Sequence, residues 1–259
     1  MNGALGARRR PDQLPLGVTL RHRRSFGNFV AGPNAGAVAV LRNLLAAQTG
    51  GVIYLWGAGG TGKSHLLEAC CGDPCMHDRR VAYLPLGDPR IEPAMLHGLA
   101  DIELLCIDDV DAVAGDGAWE EALFHLYNQA EQASSPMVLT ASTAPRTPAW
   151  QLPDLASRLT AAVVWRLRVL ADDERREALR LHARERGFEL SDEVSTFVMK
   201  RLRRDMVSLF AFLDRLDRSS LAAQRRVTVP FVKALLEEDA RSRQPGAAPG
   251  RHTGVAPHR

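Results

Sequence analysis

The sequence predicts an α/β fold: a parallel five-stranded sheet with helices on both faces, followed by a small all-helical domain. Three observations predict it. From about residue 35 to 170, short apolar runs alternate with helical patterns, and strands interleaved with helices imply a parallel sheet covered on both sides. The runs GVIYLW (51–56) and ELLCI (103–107) are continuously apolar, as strands buried on both faces are. After residue 171 the strand patterns stop and only helical periodicity remains.

Taken in order, residues 1–21 are rich in Gly, Arg and Pro without periodicity and read as a flexible arm. Residues 22–170 form the α/β domain. A helix is expected over 35–47, and strands over 51–56, 80–84, 103–107, 137–140 and 162–169, bounded by Gly, Asp or Pro. Residues 171–238 form the helical domain. Its first helix opens on acidic residues at 172 and stops at Gly187, and the second opens behind Ser191. The third carries Met206, Leu209, Phe210, Leu213 and Leu216 at helical spacing, and a fourth covers 231–236. Residues 239–259, interrupted by Pro and Gly, read as a disordered tail.

Composition excludes several classes of function. The 259 residues are 46% apolar and 24% charged, as in ordinary globular chains. No run approaches the ~18 apolar residues of a membrane span, and no apolar stretch follows Arg8, Arg9 and Arg10. That argues against a secretory signal and for a cytoplasmic protein. A net charge of +3 is far from that of a dedicated nucleic-acid binder. Cys70, Cys71, Cys75 and Cys106 lack the paired CxxC spacing of a zinc site and read as reduced thiols.

Chemistry concentrates in two places. GAGGTGKS at 57–64 satisfies G-x-x-x-x-G-K-[ST], after a buried strand and before a helical pattern. Gly57, Gly59, Gly60 and Gly62, with Thr61 among them, let backbone N–H groups curl around phosphate oxygens where a Cβ would obstruct. Lys63, one of only three lysines in the chain, would reach the β- and γ-phosphates, and Ser64 would ligate Mg²⁺. The helix N-terminus adds partial positive charge. LLCIDD (104–109) then places two acids at the carboxyl end of a buried strand, where ligands bind in open α/β sheets. Asp108 would hold Mg²⁺ through water, and Asp109 would polarise an attacking water. For both, the plain alternative is a helix cap or a solvated turn acid.

These motifs, with SFGNFVAGPN (25–34), LPDLASRL (152–159), RGFEL (186–190) and AQRRVTVPFVK (223–233), resemble the initiator branch of the AAA+ ATPases, the DnaA-related group, and within it the Hda regulators. The resemblance runs from Phe26 to about Leu236. It implies an AAA+ domain with a helical lid and one module without the initiator's DNA-binding domain. It implies residues near Phe29 and Val30 against adenine, and ADP or ATP with Mg²⁺ as cofactors. The function it implies is negative regulation of replication initiation, with DnaA, the DNA polymerase III sliding clamp and a second copy of the chain as partners. DNA is then met mainly through the clamp. Gln13, Leu14 and Leu16 are similar to the short motif that docks on the clamp, with Gly17 where a bulky residue often ends it.

Arg158 matches the family's arginine finger, which implies action in trans on ATP bound to DnaA; the plain alternative is a surface pair with Asp154 one turn earlier. Two residues depart from the family's pattern. Ser142 stands where an acidic sensor is usual, and Val207 where the second sensor arginine is usual, with Arg203 and Arg204 one turn before it. Nucleotide binding without fast autonomous hydrolysis is therefore expected. A self-assembling ATPase that loads or remodels a replicative helicase, and an adaptor whose nucleotide only sets shape, remain as other readings.

Overall fold

The computed structural model describes residues 24–47, 50–99, 101–147, 149–223 and 226–242. The arm residues Gln13, Leu14 and Leu16, and residues 243–259, lie outside the described residues. Five strands form one parallel sheet: β1 (Gly51–Trp56), β2 (Val81–Pro85), β3 (Leu104–Asp108), β4 (Pro136–Ala141) and β5 (Val163–Arg166). Their order is β2-β3-β4-β1-β5. β3 and β4 are buried at every residue, which is why their sequences are near-continuous apolar runs, broken only at Asp108 and Thr140, rather than alternating ones.

Helices cover both faces. On one side α1 (Ala35–Ala47) and α2 (Lys63–Cys71) bury Leu41, Leu45, Leu66 and Leu67 against Ile53, Leu55 and Cys106. On the other, α3 (Gly117–Gln132) and α4 (Pro153–Ala161) bury Leu123, Leu126, Leu155 and Leu159 against Tyr54, Ile107 and Leu139. Alternate residues of each strand feed opposite cores, as the two-residue pleat requires.

The lid has its own core. α5 (Asp172–Glu185), α6 (Asp192–Arg201), α7 (Met206–Ala223) and α8 (Val229–Ser242) gather Leu179, Val194, Val198, Leu209, Leu213, Leu216 and Val232. Ser191 caps α6 by accepting from the Val194 N–H, and Gly187 takes φ +82° where α5 ends.

Three elements differ from the expectations. β5 is four residues rather than eight, an edge strand with Val163 and Val164 exposed. α8 runs to Ser242, into the stretch expected as tail from 239. α3 was not anticipated, although Ala122, Leu123, Leu126, Tyr127 and Ala130 repeat at helical spacing behind Asp116, whose carboxylate caps the helix. Among the described residues no helix is long and apolar enough to cross a membrane.

Candidate functional site

The glycine loop leaves β1 and closes on α2. Gly60 and Gly62 take φ +80° and +96°, left-handed values that are costly for any residue with a Cβ. A Cβ on Gly62 would stand 2.5 Å from the Phe29 ring, so the loop and the entry segment fit only because that atom is missing. The Gly57 N–H donates to the Ala141 carbonyl at 3.2 Å, and the Thr61 hydroxyl to the Ala58 carbonyl at 2.9 Å. Gly59 faces open space. Lys63 is buried, and its ammonium donates to the Gly57 carbonyl at 2.9 Å. Ser64 lies half-buried in the first turn of α2. The loop is thus a concave backbone turn with a cation folded into it, a shape and charge that fit phosphate.

The acids stand beside it. Asp108 is 3% exposed at the end of β3. Its Oδ2 accepts from the Tyr83 hydroxyl at 2.8 Å, and its Oδ1 from the Thr140 hydroxyl. Asp109 has left-handed backbone (φ 53°, ψ 48°) and donates its N–H to the Thr140 hydroxyl oxygen at 3.0 Å. It occupies the cap position of the short 3₁₀ turn Val110–Val113, yet its side chain makes no cap bond, so the carboxylate is not spent on local structure. Burial pushes the Asp109 carboxyl up from its ordinary value, Asp108 and Asp111 add to the rise, and Lys63 opposes it. That coupling puts loop and acids in one electrostatic site. Oxygen donors of this kind suit Mg²⁺.

Ser142 follows β4, and its N–H and hydroxyl both donate to Asp111. A carboxylate from the turn after β3 therefore holds the Ser142 hydroxyl at the end of β4. Val207 is 64% exposed in the first turn of α7, and its methyl lies 3.8 Å from where a Gly60 Cβ would be. The lid helix does begin at the loop, but it brings an apolar residue there. Arg203 and Arg204 precede α7 in irregular backbone rather than one helical turn before Val207. Arg203 pairs with Asp205 at 3.2 Å and Arg204 with Asp172 at 2.9 Å.

Phe29 and Val30 straddle the two cores. Phe29 packs with the α1–α2 core, and Val30 with the lid core. Phe29 meets His65 edge-on at 5.2 Å, and the His65 ring in turn meets His182 of α5 at 5.8 Å. The Asn28 amide donates to Glu185 at 2.7 Å. The entry segment therefore joins the loop helix to the lid.

Arg158 stands apart on α4. It pairs with Glu131 at 2.6 Å and lies over the rings of Phe124 and Tyr127 at 5.4 and 5.2 Å. Its partner is on α3, not Asp154 of its own helix, because the side chain leans across the helix pair.

Tyr83, Thr140, Asp111, His65 and Asn28 were not singled out from sequence. Their partners lie 25 to 157 positions away, and only the sheet register and the lid contact bring them together.

A parallel sheet ordered β2-β3-β4-β1-β5, a glycine loop after β1, paired acids after β3 and a four-helix lid define a P-loop module of AAA+ architecture. Residues 172–236 match the family described as Hda, lid domain. The structure is similar to domain III of the replication initiation protein DnaA of Thermotoga maritima, with a TM-score of 0.71 at 22% identity over 83% of this chain and 96% of that one. It is also similar to AMPPCP-bound DnaA from Aquifex aeolicus (TM-score 0.68, 19% identity, 87% of this chain and 71% of that one). RuvB of T. maritima, the Holliday junction branch migration motor, shares the fold at TM-score 0.61 and 17% identity, over 83% and 72% of the two chains. The chain thus has the AAA+ fold of DnaA domain III, with a helical lid that matches the Hda lid family.

Proposed function

We propose that this chain is a nucleotide-bound regulator of replication initiation that makes DnaA hydrolyse its own ATP. In this reading ADP or ATP sits in the loop at 57–64, with Lys63 on its phosphates, Phe29 and Val30 against adenine, and Ser64 and Asp108 holding Mg²⁺. The metal ion, when bound, neutralises charge on the phosphate oxygens. Gln13, Leu14 and Leu16 dock the arm on the sliding clamp, and a second copy of the chain completes the assembly.

The observation that carries this reading is the setting of Arg158. Its guanidinium is a third exposed and is held by a carboxylate that is itself 62% exposed. Such a pair contributes about 0.2–1 kcal/mol, and the ring contacts add about 0.5–1 kcal/mol. An arginine finger supplied in trans is worth about 10³–10⁵ in rate, or about 4–7 kcal/mol. Releasing Arg158 from α3 toward a γ-phosphate on another molecule is therefore cheap beside what it delivers.

Val207 supports the regulator over the helicase-loading ATPase. With a methyl instead of a guanidinium beside Gly60, the lid lacks the handle on phosphate that rapid turnover calls for, while the cradle still holds ligand.

Phosphate release from DnaA–ATP, measured with clamp-loaded DNA present, tests the proposal. Addition of this protein should accelerate release, and Arg158→Ala or Gln13→Ala should return it close to the unstimulated rate. Unchanged stimulation by both variants would remove the mechanism.

A further inference from the structure

We propose that Tyr83 is a positioning residue for the metal–nucleotide complex: its hydroxyl holds the Asp108 carboxylate in the one orientation that presents it to a Mg²⁺-bound water. The proposal rests on the reading of residues 57–64 as a nucleotide cradle.

The register explains how Tyr83 reaches its partner. Pro85 pairs with Asp108 and Tyr83 with Cys106, so all four share one face of the sheet. From two residues back on β2, the phenol spans the diagonal and meets Oδ2 at 2.8 Å. On the other side of β3, the pairing of Ile107 with Leu139 continues to bring Thr140 beside Asp108, and its hydroxyl takes Oδ1. The carboxylate is therefore pinned from both flanking strands. Rotation about its Cβ–Cγ bond breaks both contacts at once. Thr140 is itself oriented, since it accepts the Asp109 N–H.

The chemical type of the two partners matters as much as their positions. An arginine or lysine against Asp108 would orient it equally well but would cancel the charge a cation needs. Hydroxyls orient without neutralising, and each carboxylate oxygen keeps a second lone pair for water. A phenol ordinarily keeps its proton well above neutral pH, so the Tyr83 hydroxyl is a donor here. A carboxylate this buried would otherwise rotate toward whatever donor it found. Partners of this kind, outside the metal's own ligands, typically carry a 10–100-fold share of metal affinity.

The test is a Mg²⁺ titration of the full chain binding a ribose-labelled fluorescent ADP. The parent and Tyr83→Phe are compared, since Phe keeps the ring in the core and removes only the hydroxyl. Tyr83→Phe should raise the Mg²⁺ concentration for half-maximal effect by about 10-fold and leave binding in EDTA unchanged. Asp108→Asn should abolish the Mg²⁺ effect. An unchanged Mg²⁺ midpoint in Tyr83→Phe overturns the assignment, as does an equal loss of affinity with and without Mg²⁺, which would make Tyr83 a purely structural residue. Failure of the parent chain to bind nucleotide at all would instead overturn the cradle reading, and the assignment with it.

Discussion

The His65 ring lies between the entry segment and the lid, and burial pushes its pKa down to about 4. Its Nε2 faces the carbonyl oxygen of Ser25 at 3.0 Å and the Asn28 side-chain oxygen at 2.9 Å. Both are acceptors, which assigns the proton of the neutral ring to Nε2. His182 and Arg24 nearby add to the depression, while the Ser25 carbonyl and Glu185 oppose it. An unfolded histidine titrates near 6.5. Between 6.5 and 4 the unfolded chain therefore takes up a proton that the folded one refuses. The contribution of His65 is present above 6.5 and drains away as pH falls toward 4, by about 3 kcal/mol over the window. Urea unfolding at about pH 7 and pH 5 should show this loss. In His65→Gln, whose amide can donate to the same oxygens without titrating, the difference should shrink by about 2 kcal/mol. An undiminished difference would mean the ring is charged in the fold.

At the level of elements, α3 is the seat on which α4 is mounted. Glu120, Phe124, Tyr127 and Glu131 recur every three or four residues, so they form one stripe on α3. The last three hold Arg158. Glu120, fully buried, accepts from the N–H groups of Gly115 (2.7 Å), Gln151 (3.1 Å) and Leu152 (2.7 Å). It thereby fixes the loop that starts α4. Glu120→Gln turns one acceptor into a donor facing the Leu152 N–H and should cost about 2 kcal/mol, read as a lower urea midpoint with an unchanged slope. A variant as stable as the parent would show that the loop is held otherwise.

The same elements show what sequence could and could not reveal. β1, α1, the glycine loop and the acid pair were legible because each is specified within a few residues: an apolar run, a helical repeat, a run of glycines, two acids closing a strand. α3 was equally legible in its spacing and was passed over. Glu120 looked like any helix-surface acid, since its three donors come from the turn before α3 and the loop before α4. Tyr83 looked like any strand aromatic, because its role depends on the β2–β3 register. For Arg158 the spacing alone left an outward role and an i,i+4 pair with Asp154 both open, and its partner is Glu131 of α3. Spacing along a helix specifies a face, and the neighbouring helix decides which carboxylate meets it.

Across the whole molecule, the entry segment is the coupling element. Phe29 belongs to the α/β core and Val30 to the lid core, and the amide of the adjacent Asn28 bonds to Glu185 of α5. α7 begins beside Gly60. In the proposed function, a nucleotide in the loop touches both bodies and sets their relative position, and Val207 serves its turnover weakly. On that proposal the chain uses its own nucleotide to hold a shape and acts on the nucleotide of another protein. The direct measurement loads γ-labelled ATP on one protein at a time and follows phosphate release after mixing on clamp-loaded DNA. Label carried by DnaA should be released rapidly, and label carried by this chain should stay bound as ATP over the same period. Rapid release from this chain, at a rate indifferent to DnaA, would contradict the account.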